Sequence, residues 1–186
     1  MEDESGRLAR LRRILERREE RAETTASEPW RTRVDGESPT LPMTETVPLI
    51  RTDFGDDATW AAVRDAVLAP HPQGGGEYFR AEVEPVEDRR FAGLTAAELV
   101  ARVPADPDCP EEPAATLLVV ADATTMTSAE HHLLLVSVDV ADHDTVRRLR
   151  ATPRAVQQVE NNLTTANMGW EEFAEAADDD GVVRLM

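Results

Sequence analysis

Two apolar runs, Leu117-Leu118-Val119-Val120 and Leu133-Leu134-Leu135-Val136-Ser137-Val138, do most to constrain what this chain can fold into. Each has strand length, is rich in aliphatic residues and lacks the polar alternation of a half-exposed strand. Segments of this kind are buried on both faces, as central strands of a sheet covered by helices on either side. The rest of the chain supplies those helices and the outer strands.

Val47–Thr52 reads as a strand, with Pro48 favouring an edge position or the strand's first residues because it cannot donate to a ladder. Asp56 is placed to cap a helix that buries Trp60, Val63, Val67 and Leu68 and stops at Pro70. His71–Gly76 reads as a flexible loop, and its glycines lack the Lys-Ser/Thr of a phosphate loop. Tyr78–Val86 alternates as one strand. Thr95-Ala96-Ala97-Glu98 is a capping box that opens a helix running through Val103, followed by a proline-rich loop over residues 104–113. Val146–Ala151 is expected to return as a strand after an Asp142-His143-Asp144 turn. Thr152 is expected to cap a helix with Pro153 at its first position, striped by Val156, Val159, Leu163 and Ala166. A short helix over 170–177 and a last strand at Val182–Leu185 complete the pattern. The expected class is α/β: a single mixed sheet of about five to six strands with packing helices.

Residues 1–24 form a separate, arginine-rich helical segment with a short stripe of Leu8, Leu11, Ile14 and Leu15, expected to be partly disordered. Residues 25–45 hold Pro29, Gly36, Pro39 and Pro42 and read as a flexible linker. The globular domain is expected over 46–186.

Charge narrows the function classes. The formal net charge is −17, and lysine is absent. Nucleic-acid affinity rests on neutralising phosphates with cationic side chains, so nucleic acids and anionic membranes are excluded as partners. A protein partner, and a basic one, fits better. The single cysteine, Cys109, excludes an internal disulfide and a cysteine-based zinc site. No run approaches the ~20 apolar residues of a membrane span, and Met1-Glu2-Asp3-Glu4 does not begin a signal peptide. A cytoplasmic location is expected.

Chemistry has two places to reside. Asp53, Asp122 and Asp139 each follow an expected strand. If those strands are parallel, the three gather at one edge with Asp56 and Asp57, where α/β folds place their sites. Asp53, Asp57, Asp122 and Asp139 could then hold Mg²⁺ through oxygen ligands for hydrolysis or phosphoryl transfer. Aspartate is also a common strand terminator and helix cap, which is the preferred reading. Glu130-His131-His132 has suitable residue types, but adjacent strand residues face opposite ways, so at most one could join a site. The second place is Glu160–Phe173, rich in Asn and Thr, which are poor helix formers. Their side chains are expected to tie a helix–helix corner to its own backbone. Asn167 suits the helix end, and Gly169 with Glu172 suits the start of the next helix. Glu160, Asn161 and Thr164 remain as an exposed candidate docking line. The leading reading is a non-catalytic, accessory or regulatory interaction domain with no cofactor; the alternative is the Mg²⁺-dependent enzyme.

Residues 47–186 resemble a family of small acidic actinobacterial proteins known as a domain of unknown function. The resemblance is carried by Leu49-Ile50-Arg51-Thr52-Asp53-Phe54 with Asp56-Asp57 and Trp60, and by Phe91-x-Gly93-Leu94-Thr95. It continues in Val120-Ala121-Asp122 with Thr124-Thr125-Met126-Thr127, in Glu160-Asn161-Asn162-Leu163 with Ala166-Asn167-Met168, and in Glu171-Glu172-Phe173. This chain departs from it at Gly169, where the family pattern has Asp, and at His132, where it has Pro. The second departure argues against a shared histidine mechanism. The resemblance implies no activity or ligand.

Overall fold

The computed structural model describes residues 39–73, 77–138 and 146–184. The charged segment 1–24, most of the linker, the Asp142-His143-Asp144 turn, Asp139 and Leu185 lie outside the described residues.

Among the described residues, eight strands and five α-helices follow one another. They are β1 (Val47–Arg51), α1 (Asp57–Leu68), β2 (His71–Gln73), β3 (Glu77–Phe79), β4 (Val83–Val86), α2 (Ala96–Val100), β5 (Leu117–Ala121), α3 (Ala123–Thr127), β6 (Leu133–Ser137), β7 (Arg148–Ala151), α4 (Pro153–Thr164), α5 (Trp170–Glu175) and β8 (Val182–Val183). Six strands form one mixed sheet in the order β4-β1-β5-β6-β7-β8. β1 is parallel to β4 and β5, and β7 to β8, whereas β6 is antiparallel to both its neighbours. Every strand of this sheet except β6 therefore runs the same way.

The apolar runs do what their composition requires. All five residues of β5 are buried. Leu117 and Val119 face one core with Leu49, Leu133 and Leu135, under Trp60, Val63 and Val67 of α1, Val156 and Val159 of α4, and Phe173 of α5. Leu118 and Val120 face a second core with Ile50 and Val136, under Phe91 and Leu99. Helical cover on both sides of the central strands is the reason their sequence carries no polar alternation.

The caps expected at Asp56 and Thr95 formed. Asp56 Oδ1 accepts from the N–H groups of Ala58 and Thr59 at 2.8 and 3.1 Å. Thr95 Oγ1 accepts from Glu98 N–H at 3.4 Å, and Glu98 Oε2 accepts from Thr95 N–H at 2.8 Å. Thr152 occupies the cap position of α4, but its side chain makes no capping bond.

Several expectations are corrected. Tyr78–Val86 is two strands, broken at Arg80–Glu82. The expected loop at His71 begins instead as β2, which pairs with β3 in a two-stranded hairpin, His71 opposite Phe79 and Pro72 opposite Tyr78. At the break Glu82 N–H leaves the ladder and donates to the Glu160 carboxylate of α4 at 3.2 Å. The helix at Thr95 ends as α-helix at Val100, short of Val103. Of the two places expected for Pro48 the structure takes the second: it is the second residue of β1, which lies inside the sheet between β4 and β5. Thr52 N–H donates to Ala121 C=O at 2.9 Å, so the even-numbered residues of β1 face β5. Pairing with β5 begins at Leu49, one residue after Pro48, so the missing donor costs no ladder bond. The edge position falls to β4. There Glu82 C=O accepts from Val47 N–H, which leaves Pro85 with its missing N–H turned outward, where it blunts the open edge. Helix α3 was not anticipated; five residues suffice because Asp122 and Thr125 cap each other reciprocally.

Candidate functional site at the carboxyl edge of the sheet

The parallel strands bring their carboxyl ends to one edge, and the turn into α1, the turn into α3 and the start of β6 meet there. Asp53, Asp57 and Asp122 all sit along it. Asp139 lies outside the described residues, and its strand, β6, runs the opposite way, so the carboxyl end of β6 is at the other edge. The expected gathering of strand-end aspartates rested on parallel strands throughout, and β6 is antiparallel to both β5 and β7.

The described aspartates are each held by a local donor. Arg51, the last residue of β1, is only 3% exposed. Its Nε donates to Asp53 C=O at 2.7 Å and its Nη2 to Asp56 C=O at 3.2 Å. The same Nη2 pairs with Asp57 at 2.8 Å, and its guanidinium carbon lies 4.6 Å from the Phe54 ring centroid. A buried guanidinium survives only when its donors are matched and its charge is paired; the β1–α1 turn is shaped around this one. Asp53 Oδ1 accepts from Gly55 N–H at 2.7 Å. A side chain at Gly55 would bring a Cβ to 3.1 Å from that same oxygen, so the turn favours glycine.

Asp122 meets Arg150 of β7 in a two-pronged pair, Nη1 to Oδ1 at 2.9 Å and Nη2 to Oδ2 at 2.6 Å. Nη1 also donates to His132 C=O at 3.1 Å, an oxygen that accepts from Thr125 Oγ1 at 2.8 Å. Burial works to raise the Asp122 pKa, but the bonds from Arg150 and Thr125 outweigh it and hold the carboxyl below its ordinary value.

A third knot closes the C-terminal end. Arg184, after β8, donates to Glu130, to Asp178 at 2.6 Å and to Asp180 at 2.9 Å. His132 Nε2 lies 3.3 Å from Glu130. Hydrogen bonds from Arg184 first, and His132 second, pull the Glu130 carboxyl down to about 2; Arg184 likewise brings Asp180 to about 2. His131 takes a positive φ of 51°, and its Nδ1 sits 2.9 Å from Thr125 C=O. Among the described residues, no group of three or more His, Cys, Asp and Glu is arranged to hold a metal ion. At this edge the described carboxylates face guanidinium groups or backbone donors rather than one another.

The docking line on α4 is corrected by burial. Glu160 is 4% exposed; its Oε2 accepts from Glu82 N–H, and its Oε1 accepts from Thr164 Oγ1 at 3.3 Å. Burial drives its pKa up, only partly offset by those bonds. Asn161 and Thr164 are exposed. Thr164 Oγ1 donates to Glu160 C=O at 2.8 Å, and Thr165 Oγ1 to Asn161 C=O at 2.6 Å. Asn162 Nδ2 donates to Gln158 C=O at 2.7 Å, and Glu172 Oε2 accepts from Gly169 N–H at 2.6 Å. The left-handed residue at this corner is Ala166, at φ 52°, rather than Asn167, whose Nδ2 donates to Asn162 Oδ1. Bonds from these side chains back to local backbone account for the unusual Asn and Thr content of this segment.

Sequence reasoning missed the arginines that hold the edge and the aromatic pair on the hairpin. Arg51 inside an otherwise apolar strand, and Arg148 and Arg150 alternating along β7, were the available signals. On the hairpin, Tyr78 is 68% and Phe79 43% exposed. Among the described residues, no helix is long and apolar enough to cross a membrane.

Residues 46–186 match a protein family described as a domain of unknown function, DUF6924. No curated protein matches the chain.

Proposed function

The chain belongs to the DUF6924 family, and from that premise we propose that it is a non-catalytic accessory or regulatory domain of the cytoplasm that acts by binding a basic protein partner. The observation that carries this reading is the exposed pair Tyr78 and Phe79 on the β2–β3 hairpin. Large aromatic side chains left in water on an otherwise polar surface are the residue types that anchor protein interfaces. The domain around them is strongly acidic: residues 46–186 hold 26 Asp and Glu against 11 Arg, a formal charge of −15. A field of that sign accelerates encounter with a cationic surface and disfavours nucleic acid. Catalysis fits less well, because the carboxylates at the sheet edge are committed to arginines and backbone donors.

The test compares the wild-type chain with the Tyr78→Ser/Phe79→Ser double variant as bait at low and high salt. The expected result is a protein retained by the wild type at low salt, released by high salt, and lost by the double variant at an unchanged melting temperature. Equal retention by both baits would overturn the reading.

A further inference from the structure

The β2–β3 hairpin sets His71 opposite Phe79 and Pro72 opposite Tyr78. Opposite residues of an antiparallel pair alternate between hydrogen-bonded and non-hydrogen-bonded positions. Pro72 has no N–H, so it cannot belong to a hydrogen-bonded pair, and Pro72 and Tyr78 take the other kind. Tyr78 N–H and C=O therefore point away from β2, to the outer edge of β3. Among the described residues, no backbone group outside the hairpin bonds to either one. The residue that carries them is 68% exposed.

An open edge of this kind is a ready template for a further strand, and folded chains commonly blunt such edges. The other outer strands here carry local devices. On β4, Pro85 stands in an outward position, and on β2 the outward position is that of Pro72. On β8, Val182 N–H donates to Asp180 Oδ1 at 3.1 Å, and Val182 C=O accepts from Asp178 N–H at 3.1 Å. Tyr78 on β3 has no such protection. The local charge selects what is drawn to it. Residues 77–88 hold Glu77, Glu82, Glu84, Glu87 and Asp88 against Arg80 alone, and Arg80 pairs with Glu82 at 3.7 Å. Edge-to-edge pairing of two copies would bring two such acidic stretches together, whereas a basic strand is attracted to one.

We propose that a basic, extended segment of the partner adds as a strand to the outer edge of β3, its backbone bonded to Tyr78 N–H and C=O. Successive residues of a strand face opposite ways, so Tyr78 and Phe79 flank the added strand on its two faces. The added residue opposite Tyr78 shares the face of the Tyr78 ring, where an arginine or lysine side chain gains a cation–π contact. This inference rests on the reading of the hairpin as the partner-binding surface and adds the way in which the partner is held.

The experiment titrates the full chain, isotopically labelled for NMR, with the end-blocked peptide Val-Arg-Val-Arg-Val at constant ionic strength. Two further forms are run beside it, N-methylated at the arginines or at the valines, so that each lacks the donors of one strand edge. Saturable binding is expected, with exchange of the Tyr78 amide slowed about tenfold or more at saturation. The form methylated along the edge that meets β3 should bind about tenfold more weakly, the worth of one main-chain hydrogen bond. The proposal is overturned if no saturable binding occurs at millimolar peptide, if the Tyr78 amide exchanges as fast in the complex as in the free chain, or if both methylated forms bind as tightly as the parent. A free chain that sediments as a dimer with its Tyr78 amide already slow also overturns it, because a second copy then holds the edge. Peptide binding that the Tyr78→Ser/Phe79→Ser variant loses, while the wild-type Tyr78 amide stays unprotected, overturns strand addition alone and leaves the hairpin interface standing.

Discussion

Arg150 on β7 grips Asp122, at the end of β5, with both arms of its guanidinium, reaching across the start of the strand that lies between them. The pair is three-quarters buried on each side, with side-chain exposures of 23% and 25%. It ties the parallel half of the sheet to β7, on the far side of the single antiparallel strand.

Loss of that pair should be costly, because each partner would leave the other partly buried and unmatched. Arg150→Met is expected to cost about 2–4 kcal/mol by urea unfolding. The pH dependence follows from the lowered Asp122 pKa. A carboxyl whose folded-state pKa lies below its ordinary 3.8 contributes stability that is complete above that value. The contribution is lost as pH falls through the depressed folded pKa. Asp122→Asn should therefore be less stable than the wild type at neutral pH, with the gap closing below about pH 4. A gap independent of pH would refute the electrostatic account.

Glu160 predicts the opposite sign. Burial raises its folded pKa above its ordinary 4.5, so the folded chain holds a proton that the unfolded chain has already released. Its contribution to stability thus falls as pH rises from 4.5 through the raised value. Glu160→Gln keeps an acceptor for Glu82 N–H and removes the charge, so it should match or exceed the wild type at pH 7 and flatten the profile. Glu160→Ala leaves that N–H unpaired in a partly buried site and should cost about 1–3 kcal/mol. An alanine variant within about 0.5 kcal/mol of the wild type, the scatter of ordinary surface changes, would return Glu160 to the docking line.

The Mg²⁺ reading of Asp53, Asp57 and Asp122 is open to a direct measurement. A ligand at ~100 times its dissociation constant stabilises the fold by about 2.7 kcal/mol, several degrees in a domain of this size. With Asp57 and Asp122 paired to arginines and Asp53 bonded to Gly55 N–H, millimolar Mg²⁺ or Mn²⁺ should leave the melting temperature where it was, in the wild type and in Asp53→Asn alike. A metal-dependent rise that Asp53→Asn abolishes would support the enzyme reading instead.

Much of the fold was legible because its signals are short-range. Asp56 sits two and three residues from the donors it caps, Thr95 three from Glu98, and the apolar run Leu117–Val120 carries its two-sided burial in four consecutive residues. The hairpin was harder. Its glycines suggested a loop, and a three-residue strand carries too little pattern to compete; the bond from Glu82 N–H to Glu160 at the neighbouring strand break joins residues 78 apart. The candidate site was legible only in part. That the aspartates at strand ends would cap and terminate could be read from their neighbours. Their arginine partners could not, since Asp122 and Arg150 are 28 residues apart.

The sequence alone determined the class of this protein and its central strands, because burial pattern, capping and charge are properties of neighbouring residues. It determined the acidity, a formal net charge of −17. The tertiary structure decided the direction of β6, the premise on which the expected gathering of strand-end carboxylates rested. It also decided which charges are spent on one another, and that Glu160 is a buried brace rather than an exposed contact. Strand direction and long-range pairing are settled by contacts between segments far apart in the chain, where hydrophobic pattern is the same whichever way a strand runs.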